Sequence, residues 1–525
     1  MNSDFRKWVC SAWALLVMCA AASAHAGERP AGAGKSDVLY PQAELGSEPL
    51  TIDRAIDLVL RNNLTVRSAR YDLIMSDTDY QKFQKKFTTT ATLDGGYSHQ
   101  EYPESGMTLF SGTKQYQWDA NASLSKVFPW GTTVSAGVKE LYMDANDQAI
   151  EFMGATVKPE DPAYHKPSVF VNLQQELLKN AFGYGDRRQS EILKNATDMQ
   201  RAAIVDMLSG LVVQTLADYW AMEVQDLARQ NARIALDAVR QVRDIIVRNA
   251  QYGLSESYDA NQYNALVAAL EPRLEHAEQN YREAVRKFLR TLNVPPGTQV
   301  KGVTDLVDTL PPVDSDAAVK AGLDKRVDFR NALMDLDNRQ LDLGIQKNNS
   351  LPSLSLNLAG NTAGQKEAFA DAAKHNYTGQ YPGWMVRLKA TYPLDDTEAK
   401  ANLRNAYLRV KQSEIKVQNL RNEIRDEITS RSERVKVQHT ALNKARVARS
   451  ESEQYHRKIL VKFRQGKTTS VAMRNALDTM IQAKQLELES LVLYNVTLLQ
   501  FDLSKNEIFE RYGVDVEKYI KMMKE

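Results

Sequence analysis

The sequence predicts a mainly α fold that also carries strands fit for a membrane, laid out as one helix–strand–long helix unit used twice. Landmarks recur in order. Gln84-Lys85 and Gln346-Lys347 each precede an alternating strand, and Gly253 and Gly466 each end a long periodic run. Tyr281 and Phe288 stand as far beyond the first glycine as Tyr494 and Phe501 stand beyond the second. A repeat of this length is an architecture in its own right. Two proline-free runs, from Asp186 to Ala250 and from Asp395 to Gln465, predict helices of unusual length, and segments of period two predict the strands.

The N-terminus has the layout of a secretory signal, residues 1–26. Arg6 and Lys7 supply the charge, Trp8 to Ala22 the apolar stretch, and Ala24-His25-Ala26 the cleavage site. A lipid-attachment reading around Leu16-Val17-Met18-Cys19 ranks second, because Met18 is bulky where a small residue is wanted. Cys10 and Cys19 are the two cysteines, so cleavage after Ala26 leaves a mature chain without thiol or disulfide chemistry. Residues 27–49 read as an extended leader.

The first repeat, 50–292, opens with a short helix over roughly 64–87, then strands within about 88–176. Apolar residues recur at steps of three and four through Ile204, Leu208, Val212, Leu216, Trp220, Ile234 and Val242, which predicts a helix over 186–250. At 1.5 Å per residue such a helix is on the order of 100 Å long. Gly253 suits the left-handed turn that ends it, and a returning helix follows over 255–291. Pro295-Pro296 and Pro311-Pro312 punctuate a linker over 293–315. The second repeat, 316–508, runs alike: a short helix over roughly 326–350, strands within about 351–392, and helices over 396–463 and 468–508. In each half, short plus returning helix comes to about the length of the long one, roughly 61 against 65 residues and 66 against 68. A wall of even height has that property. Residues 509–525 read as a loosely attached tail.

The strands alternate. Trp118 and Leu124 lie on an apolar face whose opposite carries Asp119; Trp384, Val386, Leu388 and Tyr392 alternate with Arg387 and Lys389. Full charges on one face suit water, and aromatics ending the other suit a membrane interface. About ten residues is the span of a tilted transmembrane strand. The chain offers four to six such strands, too few to close a channel, so the barrel must be shared between copies.

Charged residues make up 25% of the chain, the net charge is +1, and mean hydropathy is −0.45. Near-neutrality excludes nucleic acid as an expected partner, and beyond the signal no apolar run reaches the roughly 18 residues of a membrane helix. No catalytic constellation stands out. Gly466-Lys467-Thr468 imitates a phosphate loop, but Val461 stands where its partner glycine belongs. Ser123-Leu124-Ser125-Lys126 matches a nucleophile motif but lies in an alternating strand. The histidines are scattered without metal-ligand spacing. Neither an enzyme nor a cofactor is expected. The glycine turns are where hairpins end free, and their exposed backbone is suited to docking a partner's helical hairpin.

Taken in order, these residues resemble the TolC-like outer-membrane efflux protein family (outer membrane factors). The marks are Leu50-Thr51-Ile52-Asp53-Arg54-Ala55 with Asn62-Asn63, Arg326 through Ala332, Leu351-Pro352-Ser353-Leu354, Tyr392-Pro393-Leu394, Gly183-Tyr184-Gly185 and the two tip glycines. The resemblance covers nearly all of 50–508. It implies a homotrimer with a twelve-stranded barrel in outer-membrane lipid, four strands per chain, continued by a long α-helical tunnel in the periplasm. It implies an exit duct for tripartite efflux or type I secretion. The partners would be a periplasmic adaptor and an inner-membrane pump of the RND or ABC class. Gly253, Leu254, Ser255, Phe463, Gly466, Lys467 and Thr468 match the adaptor-docking tips. Where the family often places aspartates of a constriction ring, this chain has Ala472 and Asn475, and only Asp259 after the first tip fits. The rival reading is a periplasmic coiled-coil adaptor or tether without a membrane barrel.

Overall fold

A computed structural model of the chain describes residues 50–103, 114–146, 150–152, 155–157, 163–252, 256–302, 306–379, 381–515, 519 and 521. The signal with Cys10 and Cys19, the leader, and the tip residues Gly253, Leu254 and Ser255 lie outside the described residues. The chain opens with α1 (Ile52–Asn62), α2 (Leu64–Met75) and α3 (Thr78–Gln84). The expected single helix over 64–87 is therefore broken, and Ser76 seals the break by donating to the Leu73 carbonyl. Strands β1 (Thr90–Glu101), β2 (Lys114–Val127), β3 (Thr132–Asn146), β4 (Ile150–Phe152), β5 (Ala155–Val157), β6 (Ala163–His165) and β7 (Ser168–Glu176) follow. The long helix α4 (Tyr184–Gln251) and the returning α5 (Ser257–Thr291) complete the first repeat. The second comprises α6 (Ser315–Lys325), α7 (Val327–Asn349), β8 (Ser353–Ala363), α8 (Phe369–Tyr377), β9 (Pro382–Thr391), α9 (Thr397–Arg464) and α10 (Ser470–Ser504); α11 (Ile508–Arg511) follows.

The repeats match in the helices that set the height. α4 and α9 each have 68 residues, and α5 and α10 each have 35. The shorter helices stack end to end, and side chains that face a helix terminus make the joints. Asn63, at the start of α2, donates from Nδ2 to the Thr291 carbonyl at the end of α5, at 2.7 Å. Asn293 answers by donating to the Asn62 carbonyl at 3.0 Å. In the second repeat Arg326, before α7, reaches the Ser504 carbonyl at the end of α10. A guanidinium there meets carbonyls that the helix leaves unsatisfied and the negative end of its dipole.

Three buried clusters hold the helices together. One joins α1 to α4 through Ile56, Val59, Leu216 and Tyr219 and takes in Phe288 of α5. A second, near the free ends of the hairpins, packs Val242, Ile246, Tyr263 and Phe463 against Met473 and Leu477. The third seats Phe329 among Ile424, Ile428, Tyr494 and Phe501. Of the landmarks shared by the repeats, Phe288, Tyr494 and Phe501 are buried in these clusters, and Tyr281 packs half-buried against the first. The described residues after α10 are not loose as expected. Ile508 is buried, Tyr512 and Tyr519 pack on the first cluster, and the Tyr519 hydroxyl donates to Asp57 at 2.7 Å. α4 also contains a stretch long and apolar enough to pass for a membrane helix, half of it buried within the molecule.

Seven strands form one antiparallel sheet in the order β1-β2-β3-β7-β8-β9, with β6 paired to the upper part of β3, and β4 pairs with β5 in a separate two-stranded sheet. Six strands lie along this path where the resemblance implied four. The additional pair is the β2–β3 hairpin, seated between β1 and β7. β1 and β9 are the open edges. The strand region 351–392 is interrupted by α8, which nothing in the sequence leads one to expect, and β9 ends one residue short of Tyr392.

Candidate functional site

Two regions combine the exposed chemistry: the sheet, and the hairpin tips at the far end of the long helices. On the sheet, cross-strand register sorts side chains by face, because partners directly opposite share one. Tyr97, Trp118 and Tyr142 form one such row, with Trp118 and Tyr142 stacked at 5.8 Å between centroids. Leu93, Ala122, Val138 and Val169 form another, and Ala91, Leu124, Ala136, Val171, Gly360 and Trp384 a third. Val386 and Leu388 follow Trp384 on the same face. These residues are largely open to the surroundings: Trp384 is 82% exposed, and Leu124, Val386, Leu388 and Tyr392 all exceed half. A broad apolar face with aromatics near its limits is thus left uncovered.

The opposite face is polar. Asp119 lies there beside Gly96, as does Asn121, which donates to Asp94 across the strand pair at 2.9 Å. Thr133, Asn172, Ser355, Asn357, Arg387 and Lys389 line one concave stretch of it. Arg387 and Lys389 therefore stand on one face with Asp119, and Trp118, Trp384, Val386 and Leu388 on the other.

Where the sheet meets the helices, the backbone is locked in left-handed conformations. Asn180, Phe182 and Gly183 have φ of 57°, 49° and 70°. The Asn180 side chain caps α4, accepting from the amides of Gly185 at 2.9 Å and Asp186 at 3.2 Å. The turn between β2 and β3 presses into this junction. A Cβ on Gly183 would come within 1.7 Å of the Pro129 carbonyl oxygen, and one on Gly131 (φ +74°) within 2.9 Å of the Asn180 oxygen.

At the tips, α9 ends in a Schellman turn. The Gly466 amide donates to the Phe463 carbonyl at 3.0 Å and the Lys467 amide to the Lys462 carbonyl at 2.8 Å. Gly466 has φ +70°, the conformation that this motif assigns to its terminal glycine. Gly466 and Lys467 are exposed, and Thr468 is half-buried. Phe463 does not point outward: it is 6% exposed and belongs to the cluster beneath the tip. The exposed apolar residues are instead Tyr252 and Tyr258 at the first tip, 74% and 67% exposed, and Val461 and Val471 at the second. The sequence signal that could have found them is their place outside the three-four stripe that buries Ile246, Phe463 and Met473. The N-cap of α10 is Thr469, whose hydroxyl accepts from the Ala472 amide.

Asp259 does not stand free. It accepts from the Ser470 hydroxyl at 2.8 Å, and Tyr263 beneath it donates to the Ser470 carbonyl at 3.1 Å. Burial pushes the Tyr263 hydroxyl up to about 12, so it remains a donor. These bonds tie the two hairpins of one chain together just behind their tips. Higher on α9, His456 is buried with its Nε2 unpaired. Burial, with some help from nearby Lys484, pulls its pKa down. At the α10–α7 joint, burial would raise the Asp328 carboxyl, but its bonds to Arg326 override this and hold it below its ordinary value. Among the described residues no cluster of histidine, aspartate or glutamate is arranged to hold a metal.

No family model and no curated protein matches the chain. Solved structures do. The outer-membrane channel OprN is 14% identical with a TM-score of 0.62, over 86% of this chain and 89% of that one. CusC, described for its folding and transmembrane channel formation, is 13% identical with a TM-score of 0.63, over 90% and 98%. The outer membrane protein VceC of Vibrio cholerae is 11% identical with a TM-score of 0.61, over 86% and 95%. These neighbours are channel proteins, not enzymes, and the likeness establishes the fold: this chain has the TolC-like fold of outer-membrane channels.

Proposed function

We propose that this chain, which has the fold of the outer-membrane factors, is the exit duct of a tripartite efflux or type I secretion system. In this reading three copies close a barrel in the outer membrane and a helical tunnel in the periplasm. A periplasmic adaptor docks at the tips and links the duct to an inner-membrane pump of the RND or ABC class. The observation that carries the reading is the joining of two parts in one chain. A sheet apolar on one face and polar on the other continues into paired helices, of equal length in both repeats, whose buried residues form stripes rather than a globular core. The apolar face suits lipid, the polar face with Asp119, Arg387 and Lys389 suits an aqueous lumen, and the exposed Tyr252, Tyr258, Gly466 and Lys467 suit an adaptor hairpin. In this reading Asp259, which accepts from Ser470 behind the tip, is the candidate for an acidic constriction of the lumen.

The test is fractionation joined to capture. The protein should stay with the outer membrane through a high-salt wash. K467C carrying a photo-crosslinker should trap a periplasmic adaptor, whose genetic partner then fixes the pump class. A soluble monomer that captures nothing would instead support a periplasmic coiled-coil tether.

A further inference from the structure

The β2–β3 hairpin is a wall of the sheet and not a flap on it. It hydrogen-bonds on both sides, twelve residue pairs to β1 and eight to β7. It also carries the alternation of its neighbours, with Ala120, Ala122 and Leu124 of β2 and Val134, Ala136 and Val138 of β3 on the apolar face. Asn121, Ser123 and Ser135 lie on the polar face. Gly137 in β3 sits opposite Phe170, and a Cβ there would meet the Phe170 ring at 2.9 Å and the Ala122 carbonyl at 2.6 Å. A glycine covered by a cross-strand aromatic is a device for curving a barrel wall. The short turn at the helix end, Phe128 to Gly131, is locked into the strand-to-helix junction by Gly131 and Gly183. The hairpin is therefore anchored to the same frame as the other four strands.

The register gives the slant. The row that begins at Thr90, the base of β1, passes through Ser125, Ser135, Asn172 and Ala359 and meets β9 at Met385. Met385 is about six residues above the base of β9, a stagger of about one residue per strand. With about 3.3 Å per residue and 4.8 Å between strands, the strands tilt by roughly 35°, within the range of closed membrane barrels. The stagger runs evenly through β2 and β3.

We propose that the hairpin enlarges the outer-membrane pore. Three copies, joined β9 to β1 of the next, close an eighteen-stranded barrel of porin width in place of the twelve-stranded barrel that four strands per chain would give. Because barrel diameter grows roughly linearly with strand number, the pore wall is about 1.5 times wider. The inference rests on the duct reading and deepens it.

The experiment is single-particle cryo-electron microscopy of the full-length protein in lipid nanodiscs. Beside it runs a variant in which residues 103–166 are replaced by a short Gly-Ser loop, so that β1 leads straight into antiparallel β7. The expected result is a trimer with eighteen wall strands, falling to twelve in the variant. A trimer with twelve wall strands and β2–β3 outside the wall overturns the proposal and leaves the duct reading standing. So does a dimer that closes twelve strands. Particles with no membrane barrel overturn both. Should the variant fail to fold, the strand count of the unaltered protein decides.

Discussion

Single residues fix the angles at which the larger pieces meet. Gly183 occupies a left-handed conformation against the Pro129 carbonyl. Alanine there adds both φ strain, about 1–2 kcal/mol, and a backbone collision that only displacement of the β2–β3 turn relieves. G183A should therefore lower the unfolding temperature clearly, whereas G210A, where a Cβ meets nothing within 4 Å, should raise or leave it. At the tip, D259A removes the acceptor for Ser470. Amide exchange should rise near Ser470 and Tyr263 and stay unchanged in the sheet. His456 is a proton-linked residue. Its folded pKa lies below the ordinary value near 6.5, so the unfolded chain takes up the proton first. Its contribution is then present above about pH 6.5 and lost as pH falls through the lowered folded value. Thermal unfolding should show a downward step as pH falls below about 6.5 that H456L reduces. An H456L profile that keeps the full step would refute this.

At the scale of elements, the end-to-end joints carry the symmetry. Arg326 donates to Glu427 and Asp328, each at 2.6 Å, and faces the last carbonyls of α10. R326A leaves the exposed Asp328 without its cation and Glu427 with Arg431 alone, a loss of about 1 kcal/mol. Its expected mark is a lower unfolding temperature with early proteolysis at the α10–α7 joint. R326K should recover part of the loss, since lysine keeps the charge but not the two-pronged geometry. These joints are only half legible in the sequence. The lengths announce a stack, but the residues that seal it are two asparagines and an arginine of ordinary appearance. The long helices are legible because an apolar period near 3.6, unbroken by proline, leaves few alternatives. α8 is not, being a short helix inside a loop with no period to betray it. Phe463 lies in the core instead of on the docking surface: an aromatic near a turn can face either way, and only the packing of Tyr263 and Met473 decides.

For the whole molecule, the two faces of the sheet can be read from alternation, which assigns each residue a side. Neighbours cannot, because pairing between strands distant in the chain leaves no local trace. Membership of the β2–β3 hairpin in the wall is therefore legible only from the register. The sheet's two open edges carry a consequence for biogenesis. Lipid offers no partner for an unpaired backbone amide or carbonyl, and each one left there costs several kcal/mol. β1 and β9 together present a row of such groups, so a lone subunit inserted in the bilayer is a state too costly to populate. On the proposed duct reading, subunits must therefore meet before or while they enter the membrane, and the rate of appearance of inserted channel should rise more steeply than linearly with the amount of exported chain.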